Sequence, residues 1–276
     1  MIVRKTAADV ERMRAAGRIV AEVLDAVEKS VVPGETTTGD LNRLAETICR
    51  ERGGYPTFLG YNKFPAAACI SVNEAVVHGI PGGRVLRHGD VVSFDFACTL
   101  NGYIADAAIT IAVGDISPEA QRLLGVTREA LYQGIAKARV GARTGEIASA
   151  IQRYVEAAGF SVVRELVGHG VGRRLHEDPE VPNHGKPGQG SRLIEGMTLA
   201  IEPMVNAGKR ETITLDDKWT VVTKDGKLSA HFEHTVAITK RGPDILTLPF
   251  GTSVLPLVAA QTTVGADAMI QGAKHE

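Results

Sequence analysis

Two stretches of this chain repeat one another. GDVVSFD at 89–95 and GMTLAIE at 196–202 share a glycine, a run of β-forming residues and an acid six residues after the glycine. DAAITI (106–111) is matched by EHTVAIT (233–239), again opening on an acid. VPGETTTGDL (32–41), followed by a helical pattern to Gly53, resembles VGARTGEI (140–147), followed by one to Gly159. One matched heptad would mean little. The same order of elements twice (helix, helix, strand, hairpin), with acids at matching strand positions, predicts a duplicated α+β unit. The two units pack about a pseudo-twofold with their sheets joined into one antiparallel sheet flanked by helices. This reading makes residues 1–249 one domain, with half-repeats at about 7–115 and 118–249. It also sends Asp95, Asp106, Glu202 and Glu233 to the centre.

Local patterns fill in the halves. Val10, Met13, Ala16, Gly17, Val20, Val23, Leu24 and Val27 fall at helical spacing within 7–30, and Pro33-Gly34 ends that helix. A second helix is expected over 40–51, with Thr38 or Asp40 as its cap and Gly53-Gly54 as its stop. Helices are expected again at 118–139 and 144–158. Between them, DVVSFDFACTLNGYIADAAITIAVG reads as a hairpin turning at Asn101-Gly102. A two-residue loop puts Asp95 and Asp106 on one face, as direct or diagonal neighbours. Residues 161–170 read as one extended piece ending at His169, 177–191 as a Pro/Gly-rich loop, and SRLIEGMTLAIEPMV (191–205) as one strand. A ribbon near 211–223 and the strand SAHFEHTVAITK follow. Residues 250–276 read as a disordered tail, in which the apolar VLPLVAA is a segment able to dock.

Charge and cysteine content narrow the function classes. A formal net charge of −1 over 276 residues gives no pull toward nucleic acid or an acidic membrane surface. Three cysteines, Cys49, Cys69 and Cys98, form no CxxC and leave one odd, which points to a reducing compartment, the cytoplasm. The opening MIVRKTAADVERMR lacks the apolar run of a signal peptide. No uncharged apolar stretch approaches the length of about 18 residues that spans a bilayer.

The chemistry follows from the acids. Two of the eight histidines, His169 and His176, stand seven apart in GHGVGRRLHEDP. Taken singly, each residue has an ordinary explanation. An aspartate in a strand arm is usually an edge residue, and a histidine among glycines usually a satisfied loop residue. Glu202 precedes Pro203 and fits a strand end, and Glu233 fits a surface pair. The duplication changes this jointly, because four acids at matched central positions are not a solvated surface. Asp95, Asp106, His169, Glu202 and Glu233 together carry a charge that two divalent cations would neutralise. Oxygen and nitrogen donors without thiolate suit Mn, Co, Fe or Zn. Two such ions activate water for hydrolysis.

GHGVGRRLHEDPEVPNHG, IEPM, HFEHT, the spacing of Asp95 and Asp106, and FLGYNKFPAAACISVNEAVVHGIP (58–81) together resemble type I methionine aminopeptidase over roughly residues 4–248. The resemblance implies the pita-bread fold and removal of an N-terminal methionine when the next residue is small. It implies that Asp106 and Glu233 bridge two metal ions, that Asp95 completes one site, and that His169 and Glu202 complete the other. It makes Glu202 the general base, places His78 at the scissile amide and His176 at the oxyanion. The methionine slot falls on Tyr61, Phe64, Cys69, His78, Leu175 and Trp219, with Phe58 near its mouth. Leu175 stands where bacterial members commonly carry an aromatic, and Ile104-Ala105 where His-Gly is common before the bridging aspartate. The implied partners are nascent polypeptide N-termini, met by a monomer, with ribosome association left open. Two other readings share the ligands or the fold: an Xaa-Pro aminopeptidase or dipeptidase, and a non-catalytic binding protein.

Overall fold

The computed structural model describes residues 2–249, so the expected tail at 250–276 lies outside the described residues. The first half runs α1 (Ala7–Ser30), α2 (Thr38–Glu51), β1 (Tyr55–Pro56), β2 (Cys69–Val72), β3 (Ala75–Val77), β4 (Val91–Leu100) and β5 (Tyr103–Ala112). The second runs α3 (Pro118–Lys137), α4 (Thr144–Ala157), β6 (Ser161–Val162), β7 (Gly168–Gly170), β8 (Glu177–Val181), β9 (Thr198–Ile201) and β10 (Met204–Asn206). It closes with β11 (Thr212–Thr214), β12 (Val221–Thr223), β13 (Ser229–His231), β14 (Glu233–Thr239) and β15 (Gly242–Ile245). Among the described residues, no helix is long and apolar enough to cross a membrane.

The halves join as the repeat predicts. A nine-stranded sheet has the order β1-β4-β5-β14-β9-β7-β8, with β15 on β14 and β2 on β4, and every pair is antiparallel. The helices cover one face. Phe94 and Phe96 pack with Val20, Val23 and Val27 of α1, and Leu199 and Val236 with Leu131 of α3 and Ile151 of α4. Side chains alternate along a strand, so Asp95, between the two phenylalanines, is turned to the other face.

The hairpin obeys its loop. Asn101 and Gly102 both have positive φ, 50° and 75°, as a tight two-residue turn requires. Asp95 then faces Ala108 and Ala97 faces Asp106, so the two aspartates are diagonal neighbours.

The seam between the halves is short. Only Glu233↔Ala108 and His234↔Ala107 pair across β14 and β5. Beyond each end, a threonine hydroxyl replaces the next backbone partner. Thr235 Oγ1 accepts the Asp106 N–H at 2.9 Å and donates to the Asp106 carbonyl at 2.8 Å. Thr110 Oγ1 accepts the His231 N–H at 2.9 Å and donates to the His231 carbonyl at 2.7 Å.

These clamps fix the internal symmetry and correct one part of the sequence match. Gly89 N–H bonds the Val113 carbonyl at 3.0 Å, and Gly196 N–H bonds the Ile238 carbonyl at 3.0 Å. Val113 therefore corresponds to Ile238. Counting back along both strands, Thr110 corresponds to Thr235, Ala108 to Glu233 and Asp106 to His231. Register agrees: Asp95 faces Ala108, while Ile201 faces His234, which brings Glu202 level with Glu233. Asp95 and Glu202 are equivalent, as expected. Asp106 and Glu233 are not, because the true match is ITIAV with HTVAI, two residues away from the acid-to-acid match.

Four local expectations also change. The cap of α2 is Thr37, whose hydroxyl accepts the Asp40 N–H while Asp40 reaches back to the Thr37 N–H; this reciprocal pairing starts the helix at Thr38. The extended piece 161–170 is two strands, β6 on β10 and β7 between β8 and β9. The loop expected from 177 begins with a strand, β8, which tolerates Pro179 because it lies at the sheet edge. The strand expected over 191–205 is broken at Glu202-Pro203 into β9, in the large sheet, and β10, in a small sheet with β6 and β13.

Candidate active site

Register alone brings the acids together. Asp95, Ala108, Glu233 and Glu202 lie level across β4, β5, β14 and the end of β9, on one face. Asp106 is two residues along β5 from Ala108 and keeps that face. His169 faces Ala200, two residues before Glu202. Five neighbouring strands thus deliver one candidate ligand each. Alanine at the middle of the row leaves open space among them.

All five line a cavity of about 230 Å³. So do His78 and His176, and so do Phe58, Tyr61, Phe64, Cys69, Leu175 and Trp219. Every candidate ligand, catalytic and slot residue named from the sequence is brought to this one place. A larger cavity, about 600 Å³, lies between α1 and α3 and includes none of them; its size does not make it the chemical site, because it lacks the acid row.

The cavity's electrostatics are those of a site built for cations. Burial, with the charges of Asp106 and Glu202, pushes the Asp95 carboxyl far above the usual range. Burial followed by neighbouring carboxylates does the same to Glu202 and Glu233. Asp106 is raised to about 7 by burial, against the opposing effect of bonds from Asp95 and the Ala107 N–H. Burial and then His176 lower His169 to about 4, so its ring is neutral. Four carboxyls so placed cannot all ionise unless positive charge sits among them.

A metal centre fits these residues. Asp95 Oδ1, Asp106 Oδ1 and Glu233 Oε1 are buried without any hydrogen-bond partner among the described residues, which is costly unless something else satisfies them. Asp106, His169 and Glu233 offer ligand atoms that lie within 4.8 Å of one another. His169 Nδ1 is 2.9 Å from the Gly170 carbonyl. Donation there leaves the Nε2 lone pair free for a metal. That Nε2 lies 3.5 Å from Glu202 Oε1.

The remaining walls are apolar or aromatic. Phe64 meets Trp219 edge-on at 5.0 Å between ring centroids, and His78 meets Trp219 edge-on at 6.3 Å. Cys69 lies level with Asp95 on β2. Burial, then Asp95, Asp106 and Glu233, push its thiol up, so it stays neutral. Leu175 is buried in one apolar cluster with Phe64 and Ile104, against which Trp219 packs. His78 adopts φ 59°, a strained setting for a non-glycine residue. Burial and then His176 lower it to about 4. The Tyr61 hydroxyl lies 2.6 Å from His176 Nδ1. A hydroxyl donating there leaves the ring proton on Nε2.

Two residues of the site had no assigned role in the sequence reading. Asn62 lines the cavity beside Tyr61. His231 is 1% exposed, neither ring nitrogen has a hydrogen-bond partner among the described residues, and Nε2 lies 3.7 Å from Glu202 Oε2. Its only sequence signal is alternation with Glu233 in HFEHT.

Known proteins resemble the chain over about 90% of its length. The model of the family described as Metallopeptidase family M24 matches residues 11–240. A methionine aminopeptidase of Clostridium perfringens (strain 13 / Type A) is 54% identical over 248 residues, covering 90% of this chain and 99% of that protein. The crystal structure of methionine aminopeptidase from Thermotoga maritima superposes with a TM-score of 0.88 at 46% identity, covering 90% of this chain and 100% of that one. A prolidase from Pyrococcus horikoshii OT3 superposes with a TM-score of 0.72 at 21% identity, covering 90% of this chain and 64% of that one. That last likeness is one of fold alone.

Proposed function

The chain belongs to metallopeptidase family M24, and from that membership we propose how its residues remove an N-terminal methionine. It is a type I methionine aminopeptidase of pita-bread fold, a metal-dependent hydrolase that cleaves the first peptide bond when the second residue is small. The observation that carries the division of roles is the row of five candidate ligands, one from each of five adjacent strands, around three oxygens without partners.

Asp95, Asp106, His169, Glu202 and Glu233 would hold two divalent ions, with Co, Mn, Fe or Zn as the metal. When bound, such ions supply Lewis acidity and lower the pKa of water toward about 7. A free α-amine offers a lone pair that ions held here would accept and an acylated nitrogen does not, so an unblocked N-terminus would be selected. The slot formed by Tyr61, Phe64, Cys69, Leu175 and Trp219, with Phe58 at its mouth, takes an unbranched apolar side chain. Glu202 accepts a proton from the attacking water and returns it to the leaving nitrogen. His176, neutral because burial lowers it, donates from Nε2 to the carbonyl oxygen as negative charge develops. His78 lies at the scissile amide. Three buried free cysteines support a cytoplasmic location, net charge near zero fits the lack of membrane or specific nucleic-acid partners, and the family membership supports a monomer acting on nascent polypeptide N-termini.

A peptide assay with metal content measured alongside tests the reading. Met-Ala-Ser should be cleaved on addition of Mn or Co, and its N-acetylated form should not. Preference for Xaa-Pro peptides would favour the prolidase reading, and failure to bind metal would favour the non-catalytic one.

A further inference from the structure

The turn that delivers His176 to the cavity is folded around a buried ion pair outside the cavity. β7 ends at Gly170 and β8 begins at Glu177. Lys5 is 8% exposed and Glu177 7%. Lys5 Nζ lies 2.5 Å from Glu177 Oε2 and also donates to the Val3 carbonyl at 3.1 Å. The other carboxylate oxygen, Oε1, accepts the Arg173 N–H at 2.8 Å and the Arg174 N–H at 3.1 Å. One carboxylate therefore fastens the turn to the segment ahead of α1. Gly172 makes room for it, since a Cβ there would stand 2.3 Å from Lys5 Cε and 2.9 Å from Glu177 Oε1. The segment is itself held, with the Lys5 N–H donating to the Gly196 carbonyl at 2.6 Å.

We propose that the Lys5–Glu177 ion pair is a positioning device for His176, through which the segment ahead of the first helix governs the rate of peptide-bond cleavage. The inference rests on His176 donating to the substrate carbonyl. The imidazole has two anchors: the Tyr61 hydroxyl on its Nδ1, and the backbone of the turn that immediately precedes it. Without the ammonium, the Glu177 carboxylate is a buried charge lacking its counterion. It then takes up a proton or turns toward water. Either response weakens its hold on the Arg173 and Arg174 N–H groups, two or three residues from the imidazole. Misplacing a reacting group by about 1 Å costs on the order of a hundredfold in rate. Neither Lys5 nor Glu177 lines the cavity, and the slot's aromatic walls come from residues 58–64 and Trp219. Methionine binding is therefore spared while the donor is displaced.

The test compares kcat and KM for Met-Ala-Ser in the metal-loaded full chain. The variants are Lys5→Met, Lys5→Arg, Glu177→Gln, His176→Ala and the double variant Lys5→Met/His176→Ala. Lys5→Met and Glu177→Gln should lower kcat about ten- to a hundredfold with KM within about twofold. Lys5→Arg, which keeps the charge, should recover most of the rate. The double variant should be no slower than His176→Ala alone, because Lys5 acts through His176. Metal content and thermal midpoint are measured for each. If Lys5→Met does not fold, Glu177→Gln, near-isosteric and uncharged, takes its place in the double variant. Losses that multiply in the double variant, or a defect confined to KM, overturn the proposal. A slow His176→Ala beside normal Lys5→Met and Glu177→Gln overturns the role of the ion pair alone. An unimpaired His176→Ala overturns the donor role and the proposal with it.

Discussion

Replacing Thr235 with valine isolates the seam between the two halves. The side chain keeps its shape and β-branching, so packing and strand propensity barely change. What disappears is a hydroxyl that bonds both the N–H and the carbonyl of Asp106, at 2.9 and 2.8 Å, at a residue with no exposure. Both backbone groups are left buried without partners, and each such loss costs about 1–3 kcal/mol. A small gain from the added methyl offsets part of this, so a net loss of about 3 kcal/mol is expected. For a chain of this size that is a fall in Tm of about 6–12 °C. Calorimetry on the metal-free protein measures it. Thr110→Val, at the opposite end of the seam, should behave alike, and Thr235→Ser should retain most of the stability. A fall below about 2 °C for Thr235→Val would refute the clamp, because it would mean water or the strand ladder satisfies Asp106 equally well.

Other outcomes follow from the same geometry. Mn or Co at about a hundredfold over its Kd should raise Tm by about 5–10 °C, and a chelator should reverse the rise; an unchanged Tm would mean the orphaned oxygens of Asp95, Asp106 and Glu233 hold no ion. Glu202→Gln should abolish most turnover while retaining some metal binding, and full activity in that variant would remove Glu202 from the proton-transfer role. Burial works to raise the Glu177 carboxyl, but the bond from Lys5 and the N–H groups of Arg174 and Arg173 outweigh it, leaving its pKa below the ordinary 4.5. Its contribution to stability is therefore present above that value and lost as pH falls through the lower folded one. The Tm gap between the parent and Glu177→Gln should narrow as pH falls below about 4.5, and a constant gap would contradict the linkage.

The parts of the fold legible in the sequence are those governed by local rules. Asn101-Gly102 dictates a two-residue turn, the turn dictates register, and register puts Asp95 and Asp106 on one face. The Asp95–Glu202 equivalence was legible because each strand starts after a glycine of positive φ, Gly89 and Gly196. The slip in the other strand pair has a plain cause. Matching acid to acid is chemically attractive, but the backbone aligns Thr110 with Thr235, and hydroxyl clamps leave no sign in a charge pattern. Pro179 hid β8, because a proline is compatible with a strand only at an edge, and edges are assigned by tertiary structure. His231 is not legible in the sequence, because its isolation is a matter of burial and distance to Glu202, neither of which the string HFEHT encodes. The dependence of the His176 turn on Lys5 spans 172 residues and is likewise invisible locally.

Alanine at 108 has one further consequence. The pseudo-twofold axis runs between Ala108 and Glu233, and only one of these mates bears a carboxylate. A floor with perfect twofold symmetry would have neither head nor tail, and a peptide could lie across it in either sense. Losing the acid on one side and keeping it on the other gives that floor a direction, and an exopeptidase needs direction to tell the start of a chain from its interior.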